Sequence, residues 1–362
     1  MTKAGRITRL REAMSKDALD AFLVTSAENR HYFSGFRGSA GYLWVTSDDA
    51  MLGTDFRYTE QAGIQAPDYR VVRIGAQLDW LKEAIHGSEA TRIGIESGDM
   101  TVGMYDSVRE ATKGMLPKRE LVATGTMADE IRAIKEPEEL ALLTEAILIA
   151  DRAMEQVGAQ LRPGLTEREV AWLLEKAMRE GGADALSFDT IVASGPNGAK
   201  PHHKPSDRRL EKGDGVTIDM GALYQGYCSD ITRTFVLGKA DAQFRKVYDI
   251  VLAAQETAEA TARAGMSGKD IDGLARKVIE DAGFGEAFGH SLGHGIGVAV
   301  HEFPRVGPLS DKQRIDDGMV FSVEPGIYLT GWGGVRIEDL VVMENGEPRV
   351  LTTAHKRDLV EV

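Results

Sequence analysis

Residues 162–182, RPGLTEREVAWLLEKAMREGG, align without a gap on residues 263–283, RAGMSGKDIDGLARKVIEDAG, at a constant offset of 101. Arg162 matches Arg263, Gly164 matches Gly265, Thr166 matches Ser267, Glu169 matches Asp270, Val170 matches Ile271, Lys176 matches Lys277 and Gly182 matches Gly283. Thr166 followed by Glu169 is a capping box, in which hydroxyl and carboxylate satisfy backbone N–H groups that the first helical turn leaves unpaired. Ser267 with Asp270 is a weaker copy. Each segment follows a long helical stretch and precedes β-like hairpins, so the spacing predicts one domain of two pseudo-repeated αβ halves. Chance similarity between amphipathic helices is the competing explanation.

The chain upstream follows a different pattern. DAFLVT (20–25), GYLWVT (41–46), YRVVRI (69–74) and TRIGIE (91–96) read as strands, and DWLKEAI (79–85) and MYDSVREATKGM (104–115) as helices. This predicts a mixed α/β domain over residues 1–125. FSGFRGSAGY (33–42) is Gly-rich but lacks the GxGxxG spacing of a phosphate loop, and reads as a rim turn. The charged stretch TMADEIRAIKEPE (126–138) marks the junction, which places the second domain at 126–362. There, Leu140, Leu143, Ile147 and Met154 share one helical face.

Composition narrows the partners. Asp plus Glu number 56 against 43 Lys plus Arg, a formal charge of −13, which argues against nucleic acid or an anionic membrane surface. No run approaches the ~20 apolar residues of a membrane helix, and MTKAGRITRLREAMSKD reads as no secretory signal. The single cysteine, Cys228, rules out an intrachain disulfide and fits a reducing, cytoplasmic setting. No base is spaced to activate it, so it reads as a small hairpin residue.

Two hairpins carry paired acids. VTIDMGALYQGYCSDITRT (216–234) reads as a hairpin turning at Tyr224–Gly226. Thr217 is then predicted to face Thr232, Ile218 to face Ile231, and Asp219 to face Asp230. Directly opposed carboxylates lie about 4.5–5.5 Å apart at Cβ and destabilise a hairpin unless one is protonated or a cation lies between them. Solvated surface aspartates are the alternative, but Asp219 follows the apolar run Val216-Thr217-Ile218. Downstream, MVFSVEPGIYL (319–329) and GVRIEDLVVM (334–343) read as strands that pair Val320 with Val342, Phe321 with Val341 and Glu324 with Glu338. Four carboxylates overcompensate one divalent ion and neutralise two, and two-ion sites with ~3.5–4 Å between the ions are a hydrolytic device.

The histidines add a nitrogen donor. HSLGHGIGVAVHE (290–302) holds His290, His294 and His301, and KPHHKP (200–205) holds His202 and His203. Gly289, Gly293, Gly295 and Gly297 disfavour a helix that would make His290 and His294 a zinc pair. Read as a strand, the segment puts His294, Ile296, Val298 and Val300 on one face and points His301 to the other. His301-Glu302 is followed by Phe303-Pro304-Arg305, so no HExxH motif is present. Imidazole with carboxylates suits Mn, Co, Fe or Zn. His31, His86 and His355 lie outside these motifs and read as structural.

On these residues the chain resembles the proline dipeptidases and aminopeptidases P. HSLGHGIGVAVHE is similar to that family's histidine signature, and VTIDMGALYQGYCSDITRTF, MVFSVEPGIY and VRIED resemble its other metal-site segments in the same order. NRHYFSGFRGSAGYLWV and LGTDFRYTEQA resemble its N-terminal domain more loosely. The resemblance implies a pita-bread fold of two pseudo-symmetric αβ halves around two divalent ions, manganese or cobalt before zinc or iron. It implies that Asp219 is a ligand of one ion, that Asp230 and Glu338 bridge the two, and that His294 and Glu324 hold the second. His202 and His301 match residues that stabilise or protonate the reacting centre, and His290 and Arg336 match positions near the bound proline. His203 matches no family role.

The expected reaction is hydrolysis of a bond to proline at P1′, with Glu324 receiving the water proton and His290, His301 and Arg336 lining the substrate. A homodimer is implied, the N-terminal domain closing the partner's cleft. A dipeptidase is expected on the 362-residue length and the FRGSAG segment, with Arg336 and Arg37 as candidate partners of a dipeptide carboxylate. An aminopeptidase P is the close alternative. A lyase on the same metal scaffold, a metal-stabilised binding module and methionine aminopeptidase are further readings. The last normally lacks a domain like 1–125, and five intact ligands with flanking histidines speak against the binding module.

Overall fold

The computed structural model describes residues 3–75 and 78–362. Two compact units divide the chain, Met1–Arg132 and Ala133–Val362, and the division falls inside the charged stretch 126–138. In the first unit a mixed sheet runs in the order Arg70–Arg73, Ala50–Thr54, Tyr42–Thr46, Ala21–Val24, Arg92–Ile95, Glu120–Ala123. Tyr42–Thr46 is antiparallel to both neighbours and the other pairings are parallel. Ala21–Val24 is buried at every position, which is why AFLV is apolar without alternation. Helices Asp79–Ser88 and Val102–Thr112 overlap the predicted ones. Strands Ala50–Thr54 and Glu120–Ala123 were not expected, being short segments with little alternation. The 33–42 segment leaves helix Ala27–Ser34 at Gly35, whose φ of +79° ends the helix in the left-handed region.

The second unit runs one order of elements twice. Helices Pro137–Gly158 and Glu167–Glu180 precede a sheet of Ile231–Val236, Gly215–Met220 and Ile191–Ser194. Helices Ala242–Thr261 and Gly268–Asp281 precede a sheet of Glu302–Val306, Gly293–Gly295, Val320–Val323, Asp339–Glu344 and Glu347–Val350. Both capping boxes close. Glu169 N donates to Thr166 Oγ1 at 3.1 Å, Asp270 N to Ser267 Oγ at 3.1 Å, and each carboxylate accepts from its cap's backbone N–H. The matched glycines adopt matched backbones: φ is +97° at Gly164 and +85° at Gly265, +106° at Gly182 and +85° at Gly283. Side chains of L-residues rarely take these values. The 101-residue repeat is therefore architectural, and the unit is built of two pseudo-repeated αβ halves.

The predicted register of the first acidic hairpin is corrected. Asp219 pairs with Thr232, Ile218 with Arg233 and Thr217 with Thr234. The turn is Gln225-Gly226, with φ of +46° and +86°, flanked by the pair Tyr224–Tyr227. Two central residues with positive φ give the hairpin geometry whose twist matches the strands. Moving the turn by one residue moves every partner by two, so the faces survive while Asp219 and Asp230 cease to be opposite. The threonine pair still forms, as Thr217 with Thr234, their hydroxyls 3.2 Å apart. In the second hairpin Val320 pairs with Val342 and Phe321 with Val341, as predicted, and the ladder runs on to Val323–Asp339.

The histidine segment is corrected as well. Its strand covers only Gly293–Gly295, the ladder shifts between His294 and Gly295, and Gly297 N then donates to Ala299 O at 3.1 Å. The chain bends back, and the His301 ring lies 4.2 Å from the His294 ring instead of on the opposite face. A Cβ at Gly295 would meet Phe303 O at 2.0 Å, so only glycine allows that approach.

Because each capping box satisfies orphan N–H groups at the start of a helix, Thr166→Ala and Ser267→Ala are each expected to lower stability by about 1 kcal/mol. Urea denaturation of the two variants checks this, and the repeat predicts losses of similar size.

Candidate metal centre

The four acids sit where strands begin or end. Asp219 lies in Gly215–Met220, Asp230 immediately before Ile231–Val236, Glu324 immediately after Val320–Val323, and Glu338 immediately before Asp339–Glu344. The two halves are stitched at this point. Glu338 N donates to Thr232 O at 3.1 Å, and Thr232 Oγ1 donates to Glu338 Oε2 at 2.8 Å. Asp230, His294 and Glu338 thereby present ligand atoms that all lie within 4.8 Å of one another.

His294 Nε2 is 3.5 Å from Glu324 Oε1 and 3.7 Å from Asp230 Oδ2. Its Nδ1 lies 3.1 Å from Gly295 O and must donate there, so Nε2 carries the lone pair that faces the acids. Asp219 is held from the other side by Arg336, whose Nη2 donates to Oδ2 at 2.6 Å. Arg336 Nε donates to Thr232 Oγ1 at 3.0 Å and Nη1 to the Tyr328 hydroxyl at 2.9 Å, so the guanidinium is engaged on three sides.

Burial pushes the Asp230 carboxyl well above its ordinary range, and repulsion from Glu338, Asp219 and Glu324 adds to it. Glu338 is raised by burial and then by Glu324 and Asp219. Glu324 is pushed up to about 8, again by burial first. Among the described residues, Asp219 Oδ1 and Glu338 Oε1 are buried without a hydrogen-bond partner. Carboxylate oxygens short of donors, beside a neutral imidazole nitrogen, are a donor set that fits divalent cations.

These five residues line a cavity of about 530 Å³ together with His202, His290, His301 and Arg336. The cavity thus gathers nine of the residues that the sequence singled out, while Arg37 belongs to the other compact unit. His301 is lowered below the ordinary histidine range by burial, with Arg305 and His202 adding. His290 Nδ1 donates to Ser291 O at 2.8 Å and its Nε2 lies 2.9 Å from the Tyr328 hydroxyl. A chain His290–Tyr328–Arg336–Asp219 results. Tyr328 and Thr232 were missed in the sequence. Tyr328 reads there as one aromatic in an apolar strand, and Thr232 as a cross-strand partner, so neither carried a signal. Cys228 is buried, its Sγ 3.7 Å from Val298 O.

Comparison with known proteins places this geometry. Residues 141–345 match the model of metallopeptidase family M24, and residues 6–134 match the Creatinase/Prolidase N-terminal domain. A Bacillus subtilis (strain 168) chain named "Uncharacterized peptidase YqhT" is 41% identical over 357 residues, 98% of this chain and 99% of that one. A solved structure described as Xaa-Pro dipeptidase from Bacillus anthracis superposes with a TM-score of 0.95 at 39% identity, covering 100% of both chains. Another, described as X-Pro aminopeptidase from Thermotoga maritima MSB8, superposes with a TM-score of 0.90 at 38% identity, covering 98% of this chain and 99% of that one. The chain belongs to metallopeptidase family M24, with a Creatinase/Prolidase N-terminal domain ahead of the catalytic one. It is a metallopeptidase of the pita-bread fold.

The raised carboxyls set a sign for pH dependence in metal-stripped protein. A group whose folded pKa lies above its unfolded one binds its proton more tightly when folded. For Glu324, ordinarily 4.5 and here about 8, that stability is complete below the ordinary value and is lost as pH rises through about 8. The chelated protein is therefore expected to lose stability from about pH 5 to about pH 8, and saturating divalent cation to flatten the slope. Urea midpoints across this range, with and without chelator, check it. A level or rising midpoint in chelator contradicts it.

Proposed function

We propose that the chain hydrolyses the bond between an N-terminal residue and a proline at P1′, with dipeptides as its preferred substrates. Convergence of Asp219, Asp230, His294, Glu324 and Glu338 on one cavity, with two orphan carboxylate oxygens among them, carries the reading. The peptidases with which the chain was compared above support the substrate class. In this reading the five residues hold two divalent ions, manganese or cobalt in preference to zinc or iron. Bound there, the ions supply a nucleophile near neutral pH and a Lewis acid for the scissile carbonyl.

The chain's own groups do the rest. Glu324 receives the proton of the attacking water. His301, beside His294, and His202 donate hydrogen bonds to the tetrahedral intermediate, and the proton taken up by Glu324 passes to the leaving amine. Proline has no amide proton and a rigid ring, so a seat walled by His290 and His301 can accept it where an N–H would otherwise need a partner. Arg336 acts by holding Asp219 and Tyr328. Among the described lining residues this leaves the exposed cations Lys204 and Arg305 to meet a dipeptide's carboxylate. Arg37 lies in the other compact unit, its backbone N–H donating to Gln65 Oε1 at 2.9 Å. A cytoplasmic homodimer completes the proposal. No helix among the described residues is long and apolar enough to cross a membrane.

Two measurements test this. Exhaustive chelation is expected to abolish hydrolysis of Ala-Pro, and Mn²⁺ or Co²⁺ to restore it with two ions bound per chain. Full activity without detectable metal would contradict the assignment. The second compares kcat/KM for Ala-Pro and Ala-Pro-Ala at equal metal loading. A preference for the tripeptide of about tenfold, or 1.4 kcal/mol in transition-state binding, replaces the dipeptidase reading with aminopeptidase P.

A further inference from the structure

The loop that delivers His202 is built around one carboxylate. Glu167, the first residue of helix Glu167–Glu180, is 0% exposed. Its Oε1 accepts from Ser194 N and Ser194 Oγ, both at 2.8 Å, and from Asn197 Nδ2 at 3.0 Å. Its Oε2 accepts from Ser206 N at 3.0 Å and Ser206 Oγ at 2.6 Å, and lies 2.8 Å from His203 Nε2. One oxygen therefore gathers the incoming stem of the loop and the other the outgoing stem. Between them His203 N donates to Lys200 O at 3.1 Å, closing the turn Lys200-Pro201-His202-His203. Pro201 presets the backbone of the first central position, and His202, exposed on the cavity wall, occupies the second. Burial alone would raise the Glu167 carboxyl, but the bonds from Ser206, Asn197, Ser194 and His203 hold it down at about 2. Each donor thus meets a full charge, which makes these bonds strong.

The second half solves the same problem with other residues. The repeat partner of Glu167 is Gly268, where a Cβ would lie 2.0 Å from Arg305 O, so no side chain fits. Asp272, further along the same helix, takes over. Its Oδ1 accepts from Leu292 N at 2.9 Å, and it pairs with Arg276, which donates to Phe288 O and His290 O. In each half a buried acid on the second helix anchors the segment that carries site histidines.

We propose that Glu167 is a positioning residue for His202: through the two loop stems and the inward-facing His203, it sets where the His202 ring meets the substrate. The inference rests on the reading of His202 as a donor to the reacting centre. It also gives His203 a role, since its bond to Glu167 orients the turn whose other histidine faces the cavity.

A double-mutant cycle tests it. Wild type, E167Q, H202A and the double variant are compared at equal metal content, on whichever peptide the wild-type enzyme turns over best, so a failure of the proline preference leaves the cycle intact. Positioning predicts that E167Q lowers kcat about tenfold or more, with the loss in kcat rather than KM. In the H202A background the same substitution is expected to cost less than about twofold. An equal loss in both backgrounds, a loss carried by KM, or metal content that falls with activity assigns Glu167 a merely structural role and overturns the proposal. Unaltered activity in H202A also overturns it while leaving peptide hydrolysis standing. Should E167Q fail to fold, H203A, which keeps the other five bonds to Glu167, runs the same cycle under the same criteria.

Discussion

Four carboxylates, Asp230 and Glu338 buried and Asp219 and Glu324 half-buried, face one guanidinium at the heart of the catalytic unit, and the surrounding architecture follows from that imbalance. Asp219, Asp230, Glu324 and Glu338 repel one another in a site that water screens poorly, and Arg336 offsets only one of the four charges. Holding them together takes anchorage from outside the cluster. Thr232 supplies it by donating to Glu338 and accepting from Arg336. Behind it, Arg233 pairs with Asp339 at 2.7 Å, with side chains 3% and 1% exposed, and also donates to Glu338 O. Lys356 then ties Asp339 to Glu259. The uncompensated negative charge left at the centre is what divalent metal would neutralise.

The same site needs backbones to approach closely, which explains where its glycines fall. A Cβ at Gly293 would meet Ser322 O at 1.9 Å, and one at Gly221 would meet Ser229 O at 2.0 Å. Neither position tolerates a side chain, so the strands bearing His294 and Asp219 are brought in by omission of atoms. The bend after His294 is secured differently. Lys135 donates to Glu302 at 2.7 Å in a pair 1% and 2% exposed, which fixes the residue next to His301. A buried pair of this kind is costly to break from one side, so the loop has little freedom to drift.

How much of this was legible in the sequence varies with the range of the interaction that decides it. The second acidic hairpin could be read because apolar partners, Val320 with Val342 and Phe321 with Val341, match on both strands. The first could not be read to the residue. Its register depends on whether Tyr224 or Gln225 opens the turn, and either choice keeps the apolar residues on the same face. His301 was misoriented for a related reason: a run of alternating residues looks like a strand until glycines allow it to fold back. The four acids and His294 were nonetheless identifiable, because their residue types are unusual inside apolar or Gly-rich runs, whereas His202, His290 and His301 drew their roles from the family resemblance.

The sequence by itself determined the repeat, both capping boxes, the glycines that close each helix, and the inventory of acids and histidines available for chemistry. These depend on neighbours a few residues away, where steric and capping rules act directly. Tertiary structure alone decided which of those groups meet. Thr232 reaches Glu338 across 106 residues, Arg336 reaches Asp219 across 117, and Glu167 collects a loop 27 to 39 residues downstream. Such pairings are set by how two sheets and their helices pack, and one buried carboxylate among many leaves no local pattern that announces its partner.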